Sequence, residues 1–163
     1  MDFVVAYEKG VPQLGRFRGQ VEGTYLFKYQ ETNAEGKTRE GRGVYDLGLF
    51  PDVKAKVVLQ WGKDNLGVGT NLRYISSLTE CEDNDCRTHM NDGHERTIDA
   101  YVTGDVFASY TLASSAGKTI LGGGVNNVLD ATPAAIYNVG PDSDPSGYDF
   151  VGRYFYVRLT QAF

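Results

Sequence analysis

Apolar and polar residues alternate along seven segments of this chain. Alternation at every second position is the mark of strands, whose successive side chains point to opposite faces. The first segment is short, with Phe3, Val5 and Tyr7 on one face. From Gly15 to Tyr29, Phe17, Gly19, Val21, Gly23, Tyr25, Phe27 and Tyr29 oppose Arg16, Arg18, Gln20, Glu22, Thr24, Leu26 and Lys28. The third sets Val53, Ala55, Val57, Leu59 and Trp61 against Lys54, Lys56, Val58 and Gln60, and the fourth sets Leu66, Val68, Thr70, Leu72 and Tyr74 against Gly67, Gly69, Asn71, Arg73 and Ile75. The fifth places Ile98, Ala100, Val102, Gly104, Val106, Ala108 and Tyr110 on one face, and Asp99, Tyr101, Thr103, Asp105, Phe107 and Ser109 on the other. A Gly-rich sixth segment near Thr119 to Asn127 is the weakest. Counting back from Phe163 in twos, the seventh gives Gln161, Leu159, Val157 and Phe155, against Ala162, Thr160, Arg158, Tyr156 and Tyr154. The pattern predicts an all-β chain, an antiparallel meander of about seven long strands.

A soluble antiparallel sheet also has one apolar and one polar face. Three features point instead to a wall of a membrane barrel. Most segments run about 9–15 residues, against about 5–6 for soluble strands, and a tilted strand crosses a bilayer in about 9–11. The connections alternate in length: Gly10 to Leu14, Gly62 to Asn65 and Ser114 to Gly117 are short, whereas Gln30 to Pro51, Ser77 to Arg96 and Val128 to Val151 are long and polar. Short turns on one rim and long loops on the other is the layout of outer-membrane barrels. Aromatic residues of the apolar parity collect near the short turns as Tyr7, Phe17, Trp61, Tyr110 and Phe163, the expected membrane-interface girdle; Tyr25, Phe27, Tyr29, Tyr74 and Phe155 supply a second.

Abundant Gly and Tyr with many Val, Thr and Phe suit strands. The net charge of −5 argues against a nucleic-acid partner. No apolar run is long enough for a transmembrane helix. Met1 leads straight into Asp2-Phe3-Val4-Val5 with no export signal. An outer-membrane protein needs one, so either it lies upstream of this chain or the membrane reading fails.

Two stretches resemble the C-terminal part of a TonB-dependent outer-membrane receptor. Gly124-Val125-Asn126-Asn127-Val128-Leu129-Asp130, followed by Pro133, is similar to that family's penultimate strand and the start of its last long loop. Tyr148-Asp149 with Gly152-Arg153-Tyr154-Phe155-Tyr156-Val157-Arg158 through Phe163 resembles its final strand, and Gln161 departs from the apolar or aromatic residue usual there. Thr24 to Tyr29 and Pro51 to Trp61 fit the family pattern as well. The resemblance implies a segment, residues 1–163, of a 22-stranded transmembrane β-barrel whose plug domain and other strands are absent from this chain. It further implies import of a scarce ligand of the siderophore-iron, cobalamin or glycan class. The implied partners are the outer-membrane lipid bilayer, the rest of the barrel and its plug, TonB through the missing N-terminal part, and the barrel-assembly machinery through the C-terminal strand. The implied location is a Gram-negative outer membrane, with the C-terminus periplasmic and the long loops extracellular.

Arg16, Arg18, Glu22, Lys28, Lys54, Lys56, Arg73, Asp99, Asp105 and Arg158 share the polar parity and are expected to face the lumen, as a hydrated wall of paired charges or as a surface touching plug or ligand. Cys81 and Cys86 lie in the second long loop and are expected to form a disulfide, which an extracellular loop permits. The competing zinc reading, with His89 and His94, has only two residues between Cys86 and His89, shorter than zinc frameworks use. Asp142, Asp144 and Asp149, with Glu80, Glu82, Asp83 and Asp85, invite a calcium reading, but the spacing is not that of an EF-hand and ordinary turn chemistry accounts for it. No metal, cofactor or catalytic residue is expected: no nucleophile–base pair stands out, and Gly122-Gly123-Gly124 suits a crowded strand better than a nucleotide cradle. Two other functions stay open at this point. One is a small self-contained membrane barrel with a structural or adhesive role, and the other is a soluble β-sandwich or lipocalin-like binding module.

Overall fold

The alternating segments become strands in the computed structural model, which describes residues 1–32, 34, 36–45, 48–81, 86, 93–115, 117–137 and 143–162. In chain order the strands are β1 (Asp2–Val11), β2 (Gly15–Tyr25), β3 (Gln30–Thr32), β4 (Thr38–Glu40), β5 (Val44–Tyr45), β6 (Val53–Lys63), β7 (Leu66–Ile75), β8 (Leu78–Cys81), β9 (Glu95–Ile98), β10 (Tyr101–Ser114), β11 (Gly117–Asn126) and β12 (Tyr154–Ala162). The seven long ones form a single antiparallel sheet in the order β1-β2-β6-β7-β10-β11-β12. Each long strand therefore pairs with the next long strand in sequence, as the short turns and hairpin-like patterning dictate. The sheet is not closed: β1 and β12 each have one neighbour.

Register carries the alternation across the sheet. One row reads Val5, Val21, Val57, Leu72 and Gly104, and the next reads Tyr7, Gly19, Leu59, Thr70, Val106, Val125 and Phe155. Apolar side chains of seven strands thus share one face. Thr70, the polar member of that row, donates its hydroxyl to the Asp105 carbonyl at 2.8 Å and so presents little polarity outward. No second layer covers this face among the described residues. Phe155, Val157 and Leu159 are 77%, 82% and 71% exposed, and Phe17, Leu59, Leu72, Val106 and Tyr110 are exposed too. A soluble sheet buries such a face.

The turns step along the sheet. Val11, at the end of β1, lies in one register row with Leu66 and Tyr110, yet β10 continues four residues past Tyr110 to Ser114. Over four strand steps the rim has moved by four residues. Where the first turn meets the second, Gly15 has φ +99°, and a Cβ there would fall 2.4 Å from the Gly62 carbonyl oxygen, so only glycine fits.

The hydrophobic core lies at the other end, in the long connections. Tyr45, Leu78, Ile98, Tyr101, Ile136 and Tyr148 are buried together, with Leu49, Ile75, Ala131 and Ala134 against them. The short sheet β5-β8-β9 belongs to this cap, and β3 pairs with β4 separately.

Three boundaries differ from the sequence pattern. The first strand is not short: β1 runs Asp2–Val11 and takes in Gly10 and Val11, which pair with Arg16 and Gly15. The second segment ends as a strand at Tyr25, not Tyr29: its partner β6 begins at Val53, and Leu26 donates its N–H to the Asp52 carbonyl instead. The fifth is broken at Asp99 and Ala100. Ile98 belongs to β9 and is 1% exposed within the cap, so it is not on the apolar face of the large sheet. Alternation persists through the break, which is why the two strands read as one.

Candidate functional site beneath the loop cap

The polar face sorts the charges. Among the described residues of the seven long strands, Asp2, Glu8, Arg16, Arg18, Glu22, Lys54, Lys56, Arg73, Asp105, Lys118 and Arg158 lie on it, and only Lys9 and Lys63 on the apolar face. Eight of the ten residues expected on one charged wall are thereby brought together. The other two, Lys28 and Asp99, lie outside the large sheet.

Side chains on this face pair across strands. Lys56 meets Glu22 at 3.1 Å, and Gln20 donates to the other Glu22 oxygen at 3.2 Å. Arg16 meets Glu8 at 3.3 Å. The Arg73 guanidinium reaches both Asp105 oxygens, at 3.0 and 3.2 Å, and donates its Nε–H to Thr103 at 3.1 Å. Asp105 is 6% exposed and also accepts the Asn127 backbone N–H at 3.0 Å.

That last bond explains the Gly124–Asp130 motif physically. Asn127 sits at φ +48°, fully buried, where β11 ends. Its side-chain amide donates to the Ala131 carbonyl at 2.8 Å and accepts the Ala131 N–H at 2.9 Å. Asn is among the few residues that tolerate this backbone region while closing such a local ring. Asp130 then binds Arg153 at 2.7 Å, just before β12. The two stretches that carried the family resemblance are thus tied to each other by this ion pair as well as by the β11–β12 ladder.

Above the wall, the last long loop folds over the upper part of the polar face. Tyr101 donates its hydroxyl to the Asp149 carbonyl at 3.3 Å and stands edge-on to Tyr148, ring centroids 5.0 Å apart. Tyr45 donates to Asp144 at 3.0 Å, and the Ser146 N–H donates to the other Asp144 oxygen at 2.8 Å. Burial works to raise the Asp144 pKa, but these donors and nearby Lys54 outweigh it and hold the carboxyl below its usual range. Burial, with the Asp144 charge beside them, pushes the Tyr45 and Tyr148 phenols up to about 12.

Between cap and wall lies an open cleft of about 490 Å³, lined on the polar side by Glu22, Lys54, Lys56, Arg73, Tyr101, Thr103, Gly147 and Asp149. Its lining offers both charges, hydroxyls and an aromatic ring. Phe3, Val4, Ala55, Tyr74 and Ile75 line it as well, and among these residues no nucleophile has a base beside it.

Cys81 and Cys86 are joined, S–S 2.01 Å, so neither thiol is open to the zinc alternative. His94 is exposed, and His89 lies outside the described residues. Of the acidic candidates, Asp142, Glu82, Asp83 and Asp85 also lie outside them. Asp144 is taken up as above, Asp149 accepts the Val151 N–H at 2.9 Å, and Glu80 lies fully buried 3.6 Å from Arg96, its directly opposed neighbour. No group of three metal-ligating side chains occurs among the described residues.

Of the first girdle, Tyr7, Phe17 and Tyr110 are exposed on the apolar face, Trp61 is half-buried there with its indole N–H on the Leu14 carbonyl at 2.8 Å, and Phe163 lies outside the described residues. Of the second, Phe27, Tyr74 and Phe155 are exposed, Tyr25 stands edge-on to Phe27, and Tyr29 stacks on Phe50. Sequence reasoning missed Tyr45, Ile136 and Tyr148 as packing residues. Their signal was present, as large apolar side chains in otherwise polar loops. No protein-family model, no curated protein and no solved structure matches the chain.

Proposed function

We propose that this chain is a wall segment of an outer-membrane TonB-dependent receptor, the apolar face meeting lipid and the charged face meeting a watery lumen or its plug. In this reading the capped cleft belongs to the ligand path, and the imported ligand is a scarce one of the siderophore-iron, cobalamin or glycan class. The observation that carries it is the sorting of charge: eleven charged strand residues on one face and two on the other, with the second face apolar and uncovered. The stagger supports it as well. The first two turns are level and the third is offset by four residues; averaged over the four steps, one residue per step, with about 3.3 Å of rise and about 4.8 Å between strands, corresponds to a tilt of roughly 35°, within the range of membrane barrels.

Strand direction weighs against closure of these seven strands on themselves. With seven antiparallel strands, β1 and β12 run the same way. Direct closure would create a parallel junction, whereas an odd number of added strands keeps every junction antiparallel, as bacterial barrels do. The uncovered apolar face likewise weighs against the soluble sandwich or lipocalin-like module.

Trp61 is the single tryptophan, so its fluorescence tests the reading without labelling. The full chain, folded into phosphatidylcholine bilayers, is expected to show blue-shifted Trp61 emission, quenched more by bromines near the headgroup than by bromines at the bilayer centre. A chain that stays monodisperse in buffer without detergent, with Trp61 emission unchanged by lipid, defeats the membrane reading.

A further inference from the structure

The two charges on the apolar face are both lysines, and both lie beside the short turns. Lys9 pairs in register with Phe17, and Phe17 with Trp61; Lys63 stands two residues beyond Trp61. Strand spacing puts their Cα atoms roughly 12 Å apart, with the aromatic pair beside them. No carboxylate shares this face among the described residues of the seven strands.

Charges left on this face by chance would fall at either end and carry either sign. A lysine on a lipid-facing strand is costly at the bilayer midplane and nearly tolerated at the interface. There its methylene stem lies along apolar surface while the ammonium reaches the headgroups. Beside Lys63, an open cleft of about 680 Å³ separates the β1–β2 and β6–β7 turns. Arg16 and Asp64 also line it, and Arg16 is held by Glu8 at 3.3 Å, so the local sum of charge, Lys9 included, stays positive. An aromatic platform with an ammonium on each side suits a lipid phosphate at the level of the turns.

We propose that Lys9 and Lys63 form a binding site for the phosphate headgroup of an anionic lipid, in the leaflet on the side of the short turns. The proposal rests on the membrane reading above and names the lipid chemistry and its place on the wall.

Trp61 reports on the site directly. The full chain would be folded into phosphatidylcholine bilayers, and its quenching by brominated phosphatidylglycerol compared with that by brominated phosphatidylcholine of the same acyl chains. Wild type is expected to favour phosphatidylglycerol roughly thirtyfold, about fivefold for each interfacial lysine. The Lys9→Gln/Lys63→Gln variant is expected to lose that preference, while Lys118→Gln, altered on the opposite face, keeps it. Equal quenching by the two lipids in wild type, or a preference that survives in the double variant, overturns the site and leaves the membrane reading standing. Loss of the preference on adding inorganic phosphate identifies a free-phosphate site and overturns the lipid assignment. If neither lipid quenches Trp61, the membrane reading and the site fall together.

Discussion

At the scale of single residues, Asp105 joins what the strands alone would leave separate. It holds Arg73 of β7 and, through Asn127, the end of β11. Replacing it with Ala strands a guanidinium and a buried N–H. The expected loss is about 2–3 kcal/mol, the scale of hydrogen bonds to a charged group. Urea unfolding in detergent micelles measures it, with Asp99→Ala, exposed outside the sheet, within about 0.5 kcal/mol of wild type. A second residue-scale device is aromatic cover over glycine. Phe107 is directly opposite Gly69, Tyr156 opposite Gly124, and Phe3 opposite Gly23, and a Cβ at Gly69 would lie 2.5 Å from the Phe107 ring. Such pairing shields the bare backbone of a strand glycine. Gly69→Ala is expected to cost about 1–3 kcal/mol through overpacking, and adding Phe107→Ala should recover part of it in the same unfolding assay. The face of each charge was legible from parity alone. The partner of Asp105 was not, because Arg73 and Asn127 are brought to it by pairing with different neighbouring strands.

At the scale of elements, the long strands were legible nearly to their ends and the loops were not. Leu66 to Ile75 is a strand over the full alternating run, since nothing competes with a half-buried ladder there. The loops carry their order in a few dispersed contacts, Tyr45 with Asp144 and Tyr148 with Tyr101, that no local period reveals. Those contacts make the cap sensitive to alkali. Below about pH 10 the phenols of Tyr45 and Tyr148 are protonated in both folded and unfolded chains, and their contribution is complete. Between about 10 and about 12 the unfolded chain loses these protons while the folded cap keeps them, so stability falls through that window. Tyrosinate absorbance should show Tyr45 and Tyr148 titrating late in the folded state. Asp144 has the opposite sign: its lowered carboxyl contributes above the ordinary carboxylate range and ceases to as pH falls through its own value. Tyr45→Phe should cost the cap about 1.5–3 kcal/mol at neutral pH, read as faster amide exchange in β5, β8 and β9. Cys81→Ser/Cys86→Ser opens only a small loop, and the expected loss is about 2 kcal/mol, seen as earlier protease cleavage in the second long loop.

At the scale of the whole molecule, the meander order followed from the alternation of short and long connections, and the like direction of the two edge strands from the odd number of strands. What periodicity could not supply is where the packed core lies. A soluble β protein places it between layers, whereas here it lies in the cap, where Ile98 and Ile136 are almost wholly covered while the strands below leave their apolar side chains bare. The direction of β1 and β12 makes a prediction at this scale. Co-folded with a second β segment, the chain should form a heat-resistant, closed species with partners of odd strand number and remain open with partners of even strand number, as electrophoretic mobility with and without boiling would show.

The bareness of that face has a consequence for biogenesis. Under the membrane reading, the ladder cannot be completed in an aqueous compartment without its oily side sticking to other chains and its outer strands templating fibrils. Delivery therefore requires that the polypeptide travel unfolded under the guard of a holdase chaperone and acquire its pairing only at the lipid boundary. Mixed with such a chaperone, the denatured chain should stay dispersed for hours after dilution from urea, and without one it should scatter light within minutes.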